Sequence, residues 1–204
     1  MRIGVVSDTH VPEAGPDLPP EAYEALAGSD LILHCGDLHS LVVLDRLEHI
    51  APVISARGNG DTLHPWHRRP GVPEDPRVSE VHLLELEGFQ LGITHDLETV
   101  EGRPEEYADD LIRRVFGQRV DIALCGHTHI PLGWGLSTGT TILNPGSPTM
   151  PYGYPRILGT VGLLTLTPGR FEFQALDLYT GDFHIEIAGP GAAPLQKGPR
   201  PKHI

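Results

Sequence analysis

Four imidazoles, two carboxylates and one carboxamide stand at the ends of short apolar runs: Asp8 and His10, Asp37, Asn59, His95, and His127 with His129. The densest group is Gly126-His127-Thr128-His129, where two histidines at i and i+2 follow the apolar stretch 120–125. An exposed strand end carrying two imidazoles can hold a metal ion. The seven side chains form a mixed nitrogen and oxygen set without a thiolate. Such a set suits manganese, iron, zinc, cobalt or nickel rather than calcium or magnesium. It serves two ions better than one, and one carboxylate must then bridge them. Asp37 is the natural bridge, because its strand is expected to be central. Two ions roughly 3.5–4 Å apart can hold a hydroxide between them and clamp both oxygens of an in-line displacement at phosphorus. Each residue also has a plainer role open to it. Asp8 and Asp37 can cap turns, Asn59 within Gly58-Asn59-Gly60 suits a tight turn, and a single histidine such as His95 is commonly a surface residue. Their recurrence at successive strand ends argues for the shared site.

The elements that must position these groups form a regular series. Arg2–Val6 reads as a strand ending in Ser7-Asp8-Thr9-His10, residues 30–35 as a second ending in Gly36-Asp37, and Val53–Ala56 as a third ending in Gly58-Asn59-Gly60-Asp61. Between the first two, Pro20 can open a helix to about Ala27, where its missing N–H costs nothing. Ser40 can cap a helix whose Leu41, Leu44 and Leu47 share one face. Residues 80–86 turn at Glu87-Gly88 into Phe89–Thr94, a hairpin ending at His95. An amphipathic helix over 104–116 is closed by Gly117. After the histidine pair, 134–138 and 140–143 flank Gly139 as a hairpin that runs into Asn144-Pro145-Gly146-Ser147. Residues 159–166 and 171–177 flank Pro168-Gly169 as another. Strand–helix alternation early argues for parallel pairing, and hairpins later argue for mixed sheets. The expected architecture is α/β: two stacked mixed sheets with helices outside. In open α/β sheets ligands bind at the carboxyl ends of the strands, which is where the seven groups lie. Residues 62–76, with His64, Trp66, His67, Arg68 and Arg69, read as a long surface loop. A single domain is expected over 1–188, followed by a Pro/Gly-rich tail over 189–204.

Composition narrows the partners. A chain of 204 residues fits one domain, and 39% apolar with 21% charged residues excludes a disordered chain. A formal net charge of -12 disfavours duplex nucleic acid. A small phosphorylated ligand stays compatible, since bound cations reverse the local sign. Cys35 and Cys125 have no disulfide spacing and read as reduced, buried residues. The N-terminus has no signal-peptide pattern. The longest apolar run, near 157–166, is too short to cross a membrane. A cytoplasmic protein follows as the expectation, with a homodimer through exposed strands of the hairpin-rich half.

Taken together, Asp8-Thr9-His10, Gly36-Asp37, Gly58-Asn59-Gly60-Asp61, His95 and Gly126-His127-Thr128-His129 resemble the calcineurin-like metallophosphoesterases in order and spacing. Asp8-Thr9-His10-Val11-Pro12 and Asn144-Pro145-Gly146-Ser147 narrow the likeness to the small prokaryotic phosphodiesterase branch. It covers roughly residues 1–177. The resemblance implies a four-layer α/β/β/α sandwich and a dinuclear site, with manganese foremost among the candidate ions. By position, Asp8, His10, Asp37 and His129 resemble the ligands of one ion, and Asp37, Asn59, His95 and His127 those of the other. A bridging hydroxide is the implied nucleophile, and Asp37, Asn59 and His127 the implied catalytic core.

This chain departs from the family in two places. Gly60 stands where larger family phosphatases carry a histidine that donates a proton or contacts substrate. Its absence removes the obvious general acid and implies slow turnover on poor leaving groups. His39 is a possible substitute. His95-Asp96-Leu97 replaces the branch's common His-Gly-His. Asp61 matches an acidic position that can orient a ligand, and Arg57 could meet a phosphate. The leading expectation is a phosphodiesterase acting on a small phosphoester. The alternative is a scaffold of the same fold without significant catalysis, as in a retromer subunit with altered site residues. A metallo-β-lactamase-type hydrolase would require Asp and His after the His-x-His pair, where Ile130, Pro131 and Leu132 stand instead.

Overall fold

A computed structural model describes residues 1–63, 70–97, 103–153, 158–189 and 196–197. Short apolar runs closed by polar turns give short strands. The first half contains β1 (Arg2–Val6), α1 (Pro20–Leu26), β2 (Leu31–His34), α2 (Val42–Leu47), β3 (Val53–Ala56), β4 (Val78–Ser79), β5 (Val81–Leu86) and β6 (Phe89–Thr94). The second contains α3 (Glu105–Phe116), β7 (Ile122–Leu124), β8 (Pro131–Gly135), β9 (Thr141–Pro145), β10 (Thr160–Thr167), β11 (Arg170–Asp177), β12 (Phe183–Gly189) and β13 (Gln196–Lys197).

Among the described residues these strands form two mixed sheets. One runs β12-β11-β10-β1-β2-β3-β4 and the other β13-β8-β9-β7-β6-β5. β1 to β4 are parallel, and β10 joins β1 antiparallel. In the second sheet β6, β7 and β9 are parallel, flanked by antiparallel β5 and β8.

Successive strand residues face opposite ways, and here both faces of each sheet are covered. Val5, Leu33, Leu164 and Phe173 pack between the sheets against Leu91, Ile93, Ile122 and Leu143. Their sequence neighbours Val6 and Ile32 face outward onto Leu26 of α1 and Leu44 and Leu47 of α2. Ala123 and Ile142 on the outer face of the second sheet meet Leu111, Ile112 and Phe116 of α3. The layers therefore follow the order α/β/β/α. Helix α3 carries Glu105 and Glu106 in its first turn and Arg113 and Arg114 in its last, which complements the helix dipole. Gly117 at φ 69° closes it in the left-handed conformation that favours glycine.

Several details differ from expectation. The hairpin assigned to 134–138 and 140–143 begins at Pro131 and ends at Pro145. A proline lacks the ladder donor but is tolerated as the first residue of a strand. In α2 the buried residues are Val43, Leu44 and Leu47, while Leu41 stands at the N-cap. Ser40 Oγ accepts from the Val42 N–H only at 3.4 Å. Strands β4, β12 and β13 add to the expected set. β12 pairs with β11, and within the segment read as a tail Gln196 and Lys197 pair with β8. The rest of that tail beyond Gly189 lies outside the described residues, as do His64, Trp66, His67, Arg68 and Arg69 of the 62–76 loop. Cys35 and Cys125 are both buried thiols.

Candidate metal centre

The parallel strands of both sheets send their carboxyl ends to one rim. The turns after β1, β2 and β3 bring Asp8 and His10, Asp37, and Asn59; those after β6 and β7 bring His95, and His127 with His129. Turning this sharply demands unusual backbone. Asp8, His10, Asp37, His39, His127 and His129 all have φ between 47° and 69°. For residues with a side chain each such conformation costs on the order of 1–3 kcal/mol unless the surroundings enforce it.

The enforcement is visible as side-chain to backbone bonds. Asp61, fully buried, accepts the N–H groups of Asp37 and Gly58 at 2.9 Å and of His39 at 2.7 Å. Ser147 Oγ donates to the Asp8 carbonyl and Thr149 Oγ1 to the Thr9 carbonyl, both at 2.7 Å. Asn144 Nδ2 donates to the Gly126 carbonyl at 2.7 Å. The turns also bond to one another: Asp8 N–H donates to Gly36 O at 2.9 Å, and Gly126 N–H to His95 O at 2.9 Å. Gly126 has to be a glycine, because a Cβ there would fall on Ser7 Oγ and 2.7 Å from Asp8 Oδ2.

All seven side chains meet. Asp8 Oδ1 lies 3.4 Å from His129 Nε2, 3.9 Å from His10 Nε2 and 4.0 Å from His95 Nε2. Asp37 Oδ2 faces His10 Nε2 at 3.6 Å, and its Oδ1 faces His95 Nε2 at 3.5 Å. Asn59 Oδ1 sits between His95 Nε2 at 3.1 Å and His127 Nδ1 at 3.0 Å. The backbone N–H of His127 donates to Asp8 Oδ2 at 3.0 Å. His95 donates from Nδ1 to the Cys35 carbonyl at 2.7 Å, and His129 from Nδ1 to the Met150 carbonyl at 2.5 Å. Each bond turns Nε2 towards the carboxylates, the usual way in which the outer nitrogen of a ligating histidine is fixed.

The electrostatics suit a cation. Burial pushes the Asp8 carboxyl up, but His10, His95 and His129 outweigh it and hold the pKa down to about 2. Burial works against charge on His95, yet Asp8 and Asp37 raise its pKa above the ordinary histidine value. His10 Nε2 is buried, faces both carboxylates, and has no hydrogen-bond partner. A buried polar atom left without a partner is costly. A divalent ion held by Asp8, His10 and His129 would satisfy it; Asp8, Asp37 and His95 form another such trio, and each trio has its ligating atoms within 4.8 Å of one another. The donor set present therefore fits divalent metal ions.

Two further sequence candidates differ in placement. Asp61 orients the backbone of Asp37 and His39 as described. Arg57 instead donates to the Val72 carbonyl at 2.8 Å and lies 3.5 Å from Glu74 and 3.8 Å from Glu80. Its guanidinium binds the returning loop rather than any of the seven groups.

One positioning residue escaped the sequence reading. His34, fully buried on β2, accepts the Gly36 N–H at Nδ1 and faces Thr9 Oγ1 through Nε2 at 3.1 Å. It ties the first turn to the second. The signal was a histidine inside an otherwise apolar strand. Burial lowers its pKa from 6.5 to about 3, so the folded protein holds it neutral. Its folded value lies below its unfolded value, so its contribution is complete above pH 6.5 and is lost as pH falls towards 3. The melting temperature of the metal-free protein should accordingly begin to decline below pH 6.5. His34→Gln should flatten that limb, and an unchanged slope would contradict the assignment.

Comparison with known proteins points one way. Residues 1–169 match a sequence family described as the calcineurin-like phosphoesterase superfamily domain. A probable metallophosphoesterase of Methanothermobacter thermautotrophicus is 38% identical over 153 residues, covering 74% of this chain and 79% of that protein. A Methanocaldococcus jannaschii protein named as a phosphodiesterase is 26% identical over 174 residues, covering 80% and 92% respectively. The crystal structure of wild-type Vps29 complexed with zinc from Entamoeba histolytica superimposes with a TM-score of 0.68 at 22% identity, over 93% of this chain and 98% of that one.

Proposed function

Because this chain belongs to the calcineurin-like phosphoesterase superfamily and so to a family of metal-dependent hydrolases, we propose that it is a phosphodiesterase with a two-ion centre, acting on a small phosphoester. The observation that carries this reading is the Asp37 carboxylate. One oxygen lies 3.6 Å from His10 and the other 3.5 Å from His95, the disposition a shared ligand needs. Asp8, His10, Asp37 and His129 would hold one ion, and Asp37, Asn59, His95 and His127 the other. When bound, the ions supply Lewis acidity and activate water at neutral pH. The chain's own residues do the rest. The depressed pKa of Asp8 keeps it anionic at neutral pH. The carbonyls of Cys35 and Met150 hold two imidazoles in fixed orientation, so little reorganisation accompanies the reaction. Gly60 offers no proton to the departing alkoxide, so substrates with good leaving groups should turn over fastest.

The choice of a diester draws support from the name of the Methanocaldococcus relative. Manganese is the preferred ion, with zinc, iron, cobalt or nickel as substitutes, since the donors mix imidazole with oxygen. The reading extends to a cytoplasmic setting and a homodimer. No helix among the described residues is long and apolar enough to cross a membrane. The scaffold alternative has no observation of its own, because the Vps29 likeness at 22% identity concerns the fold alone.

Protein stripped with chelator and reloaded with each of these ions should hydrolyse an activated aryl phosphodiester, manganese giving the highest rate. Rates at the spontaneous level with every ion would remove the catalytic reading and leave the scaffold.

A further inference from the structure

The turn that carries Asp37 also carries an imidazole outside the seven. His39 sits in left-handed backbone at φ 67°. Its N–H is bound by Asp61 Oδ1 at 2.7 Å, while Oδ2 of the same carboxylate binds the Asp37 N–H at 2.9 Å. The His39 ring stands edge-on to His10 with centroids 4.2 Å apart, and its side chain is 7% exposed. Ligating atoms of His10, Asp37 and His39 lie within 4.8 Å of one another.

The protonation pattern matters most. His95 and His129 each give the Nδ1 proton to an outer acceptor and turn Nε2 inward. His39 does the same, donating from Nδ1 to Glu13 Oε2 at 2.8 Å. A carboxylate behind an imidazole fixes its tautomer and raises the basicity of the other nitrogen. That nitrogen lies over Gly60. A Cβ at position 60 would stand 2.5 Å from His39 Nε2 and 2.9 Å from Asp37 Oδ1. A side chain at 60 and an inward His39 therefore exclude each other, and the glycine lets the ring approach Asp37.

We propose that His39, oriented by Glu13, is an eighth ligand of the centre, binding an ion through Nε2 beside His10 and Asp37. This rests on the reading of the rim as a metal site and extends it: His39 is a donor to the ion rather than a contact for the substrate. The effect must therefore show in metal binding with no substrate present.

The full-length protein, stripped with chelator, is titrated with cobalt(II) and manganese(II). Affinity is measured by competition with a chelator of known strength, bound ions are counted by elemental analysis, and the visible cobalt spectrum reports the ligand set. His39→Ala should weaken at least one ion about tenfold or more and shift the cobalt bands. Glu13→Gln should weaken binding by about tenfold, at the low end of the range for removing a partner behind a ligand. Gly60→Ala should weaken binding at least as much as His39→Ala, since its Cβ crowds both His39 Nε2 and Asp37 Oδ1. Wild-type affinity and spectrum in both His39→Ala and Glu13→Gln would overturn the proposal. Should His39→Ala fail to fold, Glu13→Gln decides alone, because the Glu13 side chain is 43% exposed and its exchange leaves the core untouched. Failure of the phosphodiesterase reading looks different: wild-type protein then binds its ions, loses affinity in these variants, and hydrolyses nothing.

Discussion

Asp37→Ala is expected to reduce phosphodiester hydrolysis by roughly a thousandfold or more, the scale seen when a group acting as part of a catalytic unit is removed. The reason is geometric. Among the described residues no other carboxylate has one oxygen turned to His10 and the other to His95, so under the proposed two-ion reading its loss would open both halves at once. Asp37 Oδ1 also accepts the Gly60 N–H at 2.6 Å. Asp37→Asn therefore belongs beside the alanine variant, because it keeps an acceptor for that bond while removing the charge, and it too should be inactive. His127→Ala should follow closely. Its side chain is 40% exposed, so truncation leaves little cavity, while its backbone N–H still serves Asp8. Circular dichroism and bound-metal counts taken with the rates separate lost chemistry from lost fold. Activity within about tenfold of wild type in folded Asp37→Ala and His127→Ala would remove the centre from the reaction.

Asp61→Ala should carry the largest stability cost at the rim. Its carboxylate is fully buried and accepts three backbone N–H groups from two different turns. Alanine strands all three, and each buried donor left unmade costs about 1–3 kcal/mol. A net loss of about 3 kcal/mol or more corresponds to roughly 10 °C in melting temperature for a chain of this size. Metal affinity should fall with it, since Asp37 and His39 lose the group that fixes their backbone. Asp61→Asn retains one good acceptor and should fall between the two. A metal-free Asp61→Ala protein melting within about 2 °C of wild type would show that water satisfies these donors instead.

Much of this arrangement was legible in the amino-acid sequence because each polar turn follows a strand with a clear apolar pattern. Asp8, Asp37, Asn59, His95 and the 127–129 pair announce themselves by recurring at such ends, and the four-layer order follows from strand–helix alternation followed by hairpins. Less was legible where the signal is short or comes from the backbone. β4 and β13 are two residues each, too few for any period to register. In β12 only Ile185 and Ile187 mark the buried face. The outer partners of the imidazoles are carbonyls of Cys35 and Met150, and a carbonyl has no residue type to read. The same holds for His39: its place depends on the space over Gly60, which exists only once the second and third turns are folded side by side.

The rim draws four of its seven groups from one sheet and three from the other, and the interface of Val5, Leu33, Ile93 and Ile122 lies beneath them. An ion seated there would act as a clasp across the seam between two slabs. Occupancy would then be tied to docking of the slabs, because neither alone presents a complete set of donors. Folding and ion uptake become linked equilibria, each drawing the other forward.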